Sequence, residues 1–208
     1  MREGDELAAW LAARAGKLTA SRMRDAMSFR KDGKPSAERS QLMRELLAER
    51  ITGHSVRHYV TDAMQHGLDT EADALAAYEA ATGELVTPAG YYDHPRIDML
   101  GATPDGLLSS DGLIETKCPT TATFIDWTMA GEVPAMHKPQ MIVQLACSGR
   151  AWCEFVAYDP RIKDARRRLF IRRFEPTADE IAAVEQAAVQ FLAELDAMFE
   201  SFTAAAAA

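Results

Sequence analysis

The sequence has little cysteine and no long apolar run, and each shortage excludes a class of protein. Three cysteines occur among the 208 residues, and no two of them form a CxxC pair. This argues against a disulfide framework and against a zinc ribbon, and it favours reduced thiols. No apolar run approaches the roughly 20 residues that a membrane-spanning helix needs, and charged residues interrupt the start of the chain. We therefore expect a cytoplasmic protein without a signal peptide.

Basic residues are also in the minority, because 23 Lys and Arg stand against 31 Asp and Glu and leave a net charge of −8. Taken alone, this charge weighs against nucleic-acid binding, which depends on Lys and Arg to neutralise phosphates. The basic residues are clustered, however, at 166–168 and 172–173, and a site for a divalent metal must itself be acidic. The clusters could follow DNA phosphates or simply solvate a turn. The acidic balance therefore does not exclude a DNA-binding enzyme.

Hydrophobic periodicity predicts helices at both ends of the chain and strands between them. Helical spacing covers residues 6–15, 40–51, 62–81 and 177–202, with a further helix within 134–148. Strand patterns cover residues 112–117, 151–158 and 168–173, in a region of strands and turns that begins at Val86. Thr19 and Ser21 are candidate N-caps for another short helix that follows them. This order predicts an α/β domain in which a small mixed sheet is flanked by helices.

We predict a single domain over residues 1–203. Within it, a helical N-terminal part (1–85) precedes a sheet core (86–175) and a C-terminal helix (177–202). The final residues, 204–208, are all alanine, and we expect them to form a low-complexity tail.

One pair of segments carries the chemistry, and it reads P-D-x9-E-x-K from Pro104 to Lys117. Asp111-Gly112, between its two halves, is a strong hairpin signal. A hairpin brings the strand that follows Asp105 beside the strand that carries Glu115. Because side chains alternate along a strand, Glu115 and Lys117 then face the same side. The motif therefore predicts two carboxylates and one ammonium group around a single point.

Such a cluster suits metal-assisted hydrolysis of a phosphodiester. Mg²⁺ prefers hard carboxylate oxygens, keeps several waters, lowers the pKa of a bound water and stabilises developing negative charge. A neighbouring lysine can orient or deprotonate that water, and the backbone carbonyl of Thr116 can serve as a further ligand. The alternative is an exposed strand whose E-x-K side chains form a weak surface ion pair, which is a very common pattern. The motif by itself leaves both interpretations open.

Six segments, taken in order, resemble the PD-(D/E)XK nucleases, and more closely the family of phage lambda exonuclease and the YqaJ-like viral recombinases. The segments are Trp10-x3-Arg14-x-Gly16-x-Leu18-Thr19-Ala20-Ser21, His66-Gly67-x3-Glu71, Ala102–Gly106, Glu115–Pro119, His137–Gln140 with Gln144, and Ala157–Arg161. Each segment alone is weak, but six in register form a specific pattern. The resemblance implies an α/β fold with a restriction-endonuclease-like core.

The resemblance also implies a metal site and a role for each residue in it. Asp105, Glu115 and the backbone carbonyl of Thr116 would bind Mg²⁺ directly. Glu71, on its helix, would complete the acidic cluster and help to place metal-bound water. Lys117 would handle the nucleophile. Taken singly, Glu71 is better explained as part of a solvated helix face with Asp69 and Asp73.

Other matching residues are implied to contact the DNA or to border the site. Those that match a 5′-terminal phosphate site are Arg14, Ser21 and Thr103. Gln140 would lie at the edge of the active site. Two positions stay uncertain, namely Asp93, because its spacing to the motif is loose, and His137, because the family often has Tyr there. Taken singly, Arg14 is also explained as a surface arginine and Ser21 as a helix cap.

The activity that the resemblance implies is a 5′→3′ exonuclease that acts on linear double-stranded DNA and leaves 3′ overhangs for phage-type recombination. It implies Mg²⁺ as cofactor, with Mn²⁺ as a substitute, and a single-strand annealing protein as partner. It further implies a trimeric ring around DNA in the cytoplasm of a bacterial host. The alternatives are another PD-(D/E)XK endonuclease and a non-catalytic DNA-binding protein of the same fold. Iron–sulfur branches often carry four cysteines, and the three cysteines here count against them.

Overall fold

The helices and strands follow one another in the predicted order, with two additions, a short strand at residues 18–19 and a helix over residues 121–130. The computed structural model describes residues 4–55, 62–109 and 111–206, without the side chains of 4–7, 62–68 and 206. The side chain of His66, in the helix motif above, therefore lies outside the described residues. The helices are α1 Gly4–Arg14, α2 Met23–Ala26, α3 Ala37–Thr52, α4 Asp62–Thr82, α5 Thr121–Ala130, α6 Lys138–Ser148 and α7 Ala178–Ala206. The strands are β1 Leu18–Thr19, β2 Val86–Thr87, β3 Tyr92–Asp93, β4 Leu100–Ala102, β5 Gly106–Leu108, β6 Gly112–Lys117, β7 Trp152–Tyr158 and β8 Leu169–Phe174.

Local capping residues set the ends of α3 and α5. The Ser36 side chain accepts a hydrogen bond from the Arg39 N–H at 3.1 Å, so α3 begins earlier than its apolar spacing predicts. Helix α5, which periodicity missed, begins after Thr120, whose hydroxyl accepts from the Thr123 N–H at 3.3 Å. It ends at Gly131, where a φ of 71° gives the left-handed conformation that glycine adopts freely. The Thr120 and Gly131 signals were therefore present in the sequence.

Two predictions about the ends of helices need correction. Thr19 precedes a 3-10 turn, Ala20–Arg22, but its side chain makes no capping bond, and α2 starts only after Arg22. The hydroxyls of Thr19 and Ser21 instead lie 3.4 Å apart, so Ser21 is not a helix cap. At the other end of the chain, α7 continues to Ala206. The alanine run extends that helix because alanine has the highest helix propensity.

The main sheet brings the two halves of the P-D-x9-E-x-K motif together. Within the described residues the strand order is β2-β5-β6-β7-β8 in this five-stranded sheet, and β1-β4-β3 in a smaller one. The predicted hairpin is confirmed, because β5 pairs antiparallel with β6 and places Gly106 opposite Ile114, although Gly112 is already the first residue of β6, opposite Leu108. Strand β6 then pairs in parallel with β7, with Lys117 opposite Ala157. The carboxyl ends of β6 and β7 therefore lie at the same edge of the sheet.

Helices cover both faces of the main sheet. On one face, Tyr78 of α4 packs with Ile114 and Val156. On the other face, Leu113 and Phe155 belong to a larger core to which α6 and α7 contribute. Glu115 follows Leu113 at a spacing of two residues, so its side chain points to the α6 side of the sheet. The predicted α/β architecture with a small mixed sheet between helices is confirmed.

The state of the cysteines and the apolar character of the helices were both addressed by the sequence. All three cysteines are free, and Cys147 and Cys153 are buried in the core. Across the ranges that the structure describes, none of the helices combines the length and apolar character needed to cross a membrane.

Candidate active site

Strand β6 carries the central carboxylate of the site into the interior. Glu115 has no solvent-exposed surface, whereas the Lys117 side chain is 27% exposed at the end of the strand. The two side chains leave the same face, as the period of two predicts, and the Lys117 ammonium donates to Glu115 Oε1. A buried carboxylate is costly unless it is paired and hydrogen-bonded. The E-x-K pair is therefore not the exposed surface pair that the sequence left open.

Asp105 reaches the same point from the neighbouring strand. It lies directly before β5, and its Oδ2 accepts hydrogen bonds from the Thr116 backbone N–H at 2.6 Å and from the Thr116 hydroxyl at 2.8 Å. These bonds attach Asp105 to the strand that carries Glu115 and Lys117. The hairpin thus places all three side chains of the motif at one end of the β5–β6 pair.

Two glutamines on α6 hold the Glu115 carboxylate from the other side. The Gln140 side-chain amide donates to Oε1 at 2.6 Å, and the Gln144 amide donates to Oε2 at 2.6 Å. Their spacing of four residues puts both on one face of α6. Gln144 is fully buried and also lies 3.5 Å from the backbone carbonyl of Thr103. Sequence reasoning placed Gln140 at the site but used Gln144 only as part of a motif, although the i, i+4 spacing was the signal for it.

Glu71 of α4 adds a third carboxylate to the electrostatics of the site. Partial burial and the nearby Glu115 carboxylate raise the pKa of Glu71 above its ordinary value. Burial and the same neighbour raise the pKa of Asp105 to about 7. Burial opposes the charge on Lys117, but the Glu115 and Asp105 carboxylates outweigh it and raise the pKa of its ammonium. The site therefore concentrates negative charge around one cation.

The chemistry of these donors fits a hard divalent cation. Three carboxylates interact with a single ammonium group, so the site has surplus negative charge that a dication would neutralise. Among the described residues, no three Asp, Glu, His or Cys side chains are close enough to form a complete metal cage. Mg²⁺ needs no such cage, because it is usually bound through one or two carboxylates and keeps several waters. Asp105 and Glu115 suit that mode of binding.

The residues predicted to bind a 5′-phosphate are only partly brought together. Trp10 Nε1 donates to the Thr103 hydroxyl at 3.1 Å, and the Arg14 guanidinium stacks 3.9 Å above the Trp10 ring. Arg14 and Thr103 therefore meet through Trp10, which sequence reasoning treated only as a motif residue. Thr103 is also adjacent to the motif, two residues before Asp105. Ser21 is exposed, and its hydroxyl lies 3.4 Å from that of Thr19.

The two uncertain positions have structural partners. Asp93 is 62% exposed on β3 of the smaller sheet, where its carboxylate pairs with the Lys17 ammonium at 2.6 Å. His137 stacks on Phe155 with ring centroids 5.5 Å apart and meets the edge of Trp127 at 5.2 Å. Burial lowers the pKa of His137 to about 4, so its ring is neutral near pH 7. Within the described contacts, Asp93 is an ion-pair residue and His137 packs between aromatic rings.

Comparison with known proteins finds a matching family model and similar solved structures. The family model of the YqaJ-like viral recombinase domain matches residues 9–151 of the sequence. A crystal structure of LHK-Exo in complex with dAMP is 42% identical, with a TM-score of 0.88 over 96% of this chain and 98% of that one. A structure described as an alkaline exonuclease, LHK-Exo from Laribacter hongkongensis, is also 42% identical, with a TM-score of 0.87 and the same coverage.

A more distant likeness shows the fold alone. A phage-related exonuclease from Haemophilus somnus 129PT is 14% identical, with a TM-score of 0.64 over 89% of this chain and 96% of that one. None of the curated proteins matches the sequence. The family model and the 42% identical structures nevertheless cover most of the chain, including the motif. The chain belongs to the YqaJ-like viral recombinase family, within the PD-(D/E)XK nucleases, and is a deoxyribonuclease of the exonuclease type.

Proposed function

We propose that this protein is a Mg²⁺-dependent 5′→3′ exonuclease that acts on the ends of linear double-stranded DNA and leaves 3′ single-stranded overhangs. The observation that carries the proposal is the convergence of Asp105, Glu115 and Lys117, with both oxygens of Glu115 held by amide donors. Asp105, Glu115 and the Thr116 carbonyl would hold the metal, and Glu71 would act through a water. When bound, Mg²⁺ supplies an acidified water and neutralises charge on the scissile phosphate.

Side chains around the site would orient the metal ligand and the attacking water. Gln140 and Gln144 fix the plane of the Glu115 carboxylate, because each donates to a different oxygen. Neighbouring carboxylates keep Lys117 protonated, and its ammonium can donate to the attacking water and to the developing negative charge on the phosphate. The raised pKa therefore favours a Lys117 ammonium that orients the water over a neutral Lys117 amine that deprotonates it. The residues proposed for the 5′-phosphate are Arg14, Ser21 and Thr103, which would set the polarity.

Substitution of the lysine tests the catalytic role. Lys117→Ala should lower single-turnover cleavage at least about 100-fold, the usual loss for one charge-stabilising donor, while binding to linear duplex stays within a few-fold. Lys31→Ala, which removes the same charge from an exposed loop, should cleave at the wild-type rate. Unchanged cleavage by Lys117→Ala would refute the catalytic role of the lysine, whereas binding without any cleavage by the wild-type protein would favour the non-catalytic DNA-binding alternative.

End-labelled duplexes test the polarity. Label at the 5′ end of a linear duplex should be released before label at the 3′ end, and removal of the 5′-phosphate should slow digestion. Arg14→Ala should abolish that difference between phosphorylated and unphosphorylated ends, because it removes the guanidinium of the proposed site. Rapid cutting of closed circular DNA would instead favour the endonuclease alternative.

The assembly, the partner and the cellular setting complete the proposal. We propose a trimeric ring that encloses the duplex, a single-strand annealing protein that takes up the exposed 3′ strand, and action in the cytoplasm of a bacterial host. Mn²⁺ should replace Mg²⁺, because both are hard cations that accept carboxylate and water oxygens. Light scattering would give three times the mass of one chain for a ring, and a monomer at all concentrations would contradict it.

A further inference from the structure

The most concentrated positive charge of the chain lies in one short connection between β7 and β8. Residues 161–168, called the basic loop below, contain five basic residues and one acidic residue, Asp164. The basic residues are Arg161, Lys163, Arg166, Arg167 and Arg168. This loop is strongly positive although the whole chain has a net charge of −8. Such a contrast gives the loop a separate electrostatic role.

The basic loop starts next to the active site. It follows the carboxyl end of β7, and that end lies beside the end of β6 because Ala157 is opposite Lys117. Arg161 confirms the proximity, since its guanidinium donates to the backbone carbonyl of Pro119 at 2.6 Å. Pro119 is only two residues beyond Lys117. The loop is therefore attached directly to the segment that leaves the catalytic strand.

Internal hydrogen bonds fix the shape of the basic loop. Its ends are joined by the Asp159 N–H and the Arg168 carbonyl at 2.9 Å, and Arg161 Nε donates to the fully buried Asp159 carboxylate at 2.6 Å. Arg168 Nε donates to the Ile162 carbonyl at 2.6 Å, and Ile162 packs against the core. Ordering of a binding segment in advance lowers the entropy that binding costs.

The charge that remains available points into solvent. The Arg166 and Arg167 side chains are 89% and 82% exposed, and both pair with the same carboxylate, Asp164, at 3.0 Å and 3.7 Å. One carboxylate cannot neutralise two guanidinium groups, and Lys163 beside them is exposed as well. The neighbouring catalytic carboxylates repel a polyanion such as DNA. Fixed positive charge next to them offsets that repulsion.

We propose that the basic loop binds backbone phosphates of the DNA that flanks the bond being cleaved, without regard to base sequence. This inference rests on the proposed nuclease function. Arg166 and Arg167 supply the charge, and Arg161 holds the loop against the catalytic segment. Each neutralised phosphate of duplex DNA makes the slope of log K against log salt steeper, that is more negative, by about 0.9. Removal of the two exposed guanidinium groups should therefore make the slope less steep by about 2.

The test measures binding of a fluorescent linear duplex in Ca²⁺, which should suppress cleavage, across a series of salt concentrations. Arg166→Ala/Arg167→Ala should weaken binding at least about tenfold at low salt and flatten the salt dependence. Cleavage of subsaturating DNA in Mg²⁺ should fall by about the same factor as binding. The matched control is Arg44→Ala/Arg96→Ala, which removes two exposed arginines elsewhere, one of them also paired with a carboxylate. The control should keep the wild-type slope.

Two outcomes would overturn the inference. An unchanged slope in the loop variant would show that the loop does not contact phosphates, and an equal loss in both variants would show only an effect of net charge. If the wild-type protein cleaves linear DNA and the loop variant binds normally, the loop proposal fails alone. If the wild-type protein binds DNA through the loop but never cleaves it, the proposed nuclease function fails instead. Thermal unfolding of each variant checks that both double substitutions leave the fold intact.

Discussion

Replacement of Gln144 by methionine should weaken metal binding without unfolding the protein. Methionine has a similar length and a good helix propensity, so it fills the space but cannot donate to Glu115. Gln144 is fully buried and is the donor to Oε2, whereas Lys117 and Gln140 both donate to Oε1. Loss of the Gln144 amide would leave Oε2 of the Glu115 carboxylate without this donor and the carboxylate less firmly oriented. One change thus removes a contact behind the metal site.

The magnitude follows from the hydrogen bonds that change. A hydrogen bond to a charged group contributes about 1.5–3 kcal/mol. Within the described residues, Gln144 Oε1 has no hydrogen-bond partner, so methionine also removes a buried acceptor and offsets part of the loss. We expect a net loss of about 1–2 kcal/mol in the free energy of unfolding. A melting temperature lower by roughly 2–8 °C would correspond for a chain of this length. Loss of an orienting contact behind a metal ligand should raise the Mg²⁺ dissociation constant about tenfold.

Calorimetric titration with Mg²⁺ and thermal unfolding, both without DNA, measure the two effects. The matched control is Gln190→Met, because Gln190 also donates to a glutamate, Glu194 at 3.2 Å, but on the exposed face of α7. The control should change stability by less than about 0.5 kcal/mol and leave metal affinity unaltered. If Gln144→Met lowers stability while Mg²⁺ binds as tightly as to wild type, Gln144 is only a core residue and the reasoning is refuted.

Three further predictions concern Asp105 and the residue after it. Burial raises the pKa of Asp105 to about 7, and a metal must displace its proton, so Mg²⁺ affinity should fall by about tenfold per unit as the pH drops below about 7. Titrations at pH 5.5, 7 and 8.5 that show equal affinities would contradict this. In the metal-free protein the contribution of Asp105 to stability has the opposite sign, because the native state binds its proton more tightly, and that contribution is lost between pH 4 and pH 7. The lowered pKa of His137 acts the other way over this range, so urea unfolding should compare wild type with Asp105→Asn, and the difference in stability should shift against wild type from pH 4 to pH 7. Gly106→Ala should lower the free energy of unfolding by about 2 kcal/mol or more and reduce cleavage, because the new Cβ would lie 2.2 Å from Val86 Cγ1. The control is Gly90→Ala, whose Cβ meets no atom within 4 Å and which should unfold like wild type.

Much of the fold could be read from local patterns. Strand β6 was predicted with its observed bounds, because its apolar run stops at Cys118-Pro119. The long helices were predicted within a few residues of their ends, since amphipathic spacing persists over many turns. The helix over residues 121–130 was missed because it lacks a clear apolar stripe and is marked only by its capping residues.

Some features of the candidate site likewise follow from local patterns, and others depend on packing between distant segments. The facing of Glu115 and Lys117 follows from the period of a strand, and the hairpin follows from Asp111-Gly112. Contacts between distant segments do not follow from such rules. Trp10 reaches Thr103 across 93 positions, and Gln144 reaches Glu115 across 29, and only packing decides such pairs. The assignment of Asp93 to an ion pair with Lys17 is another result of packing.

By itself, the sequence determined which residues are candidates for the chemistry and which strand presents them, because hydrophobic alternation and turn signals act over a few neighbouring residues. The tertiary structure alone decided how that chemistry is tuned. It buried Glu115 beneath α6, satisfied both of its oxygens with amide donors, and placed the basic loop beside the end of β6. Burial and electrostatic coupling depend on distances between segments that are remote along the chain, and the folded core sets those distances.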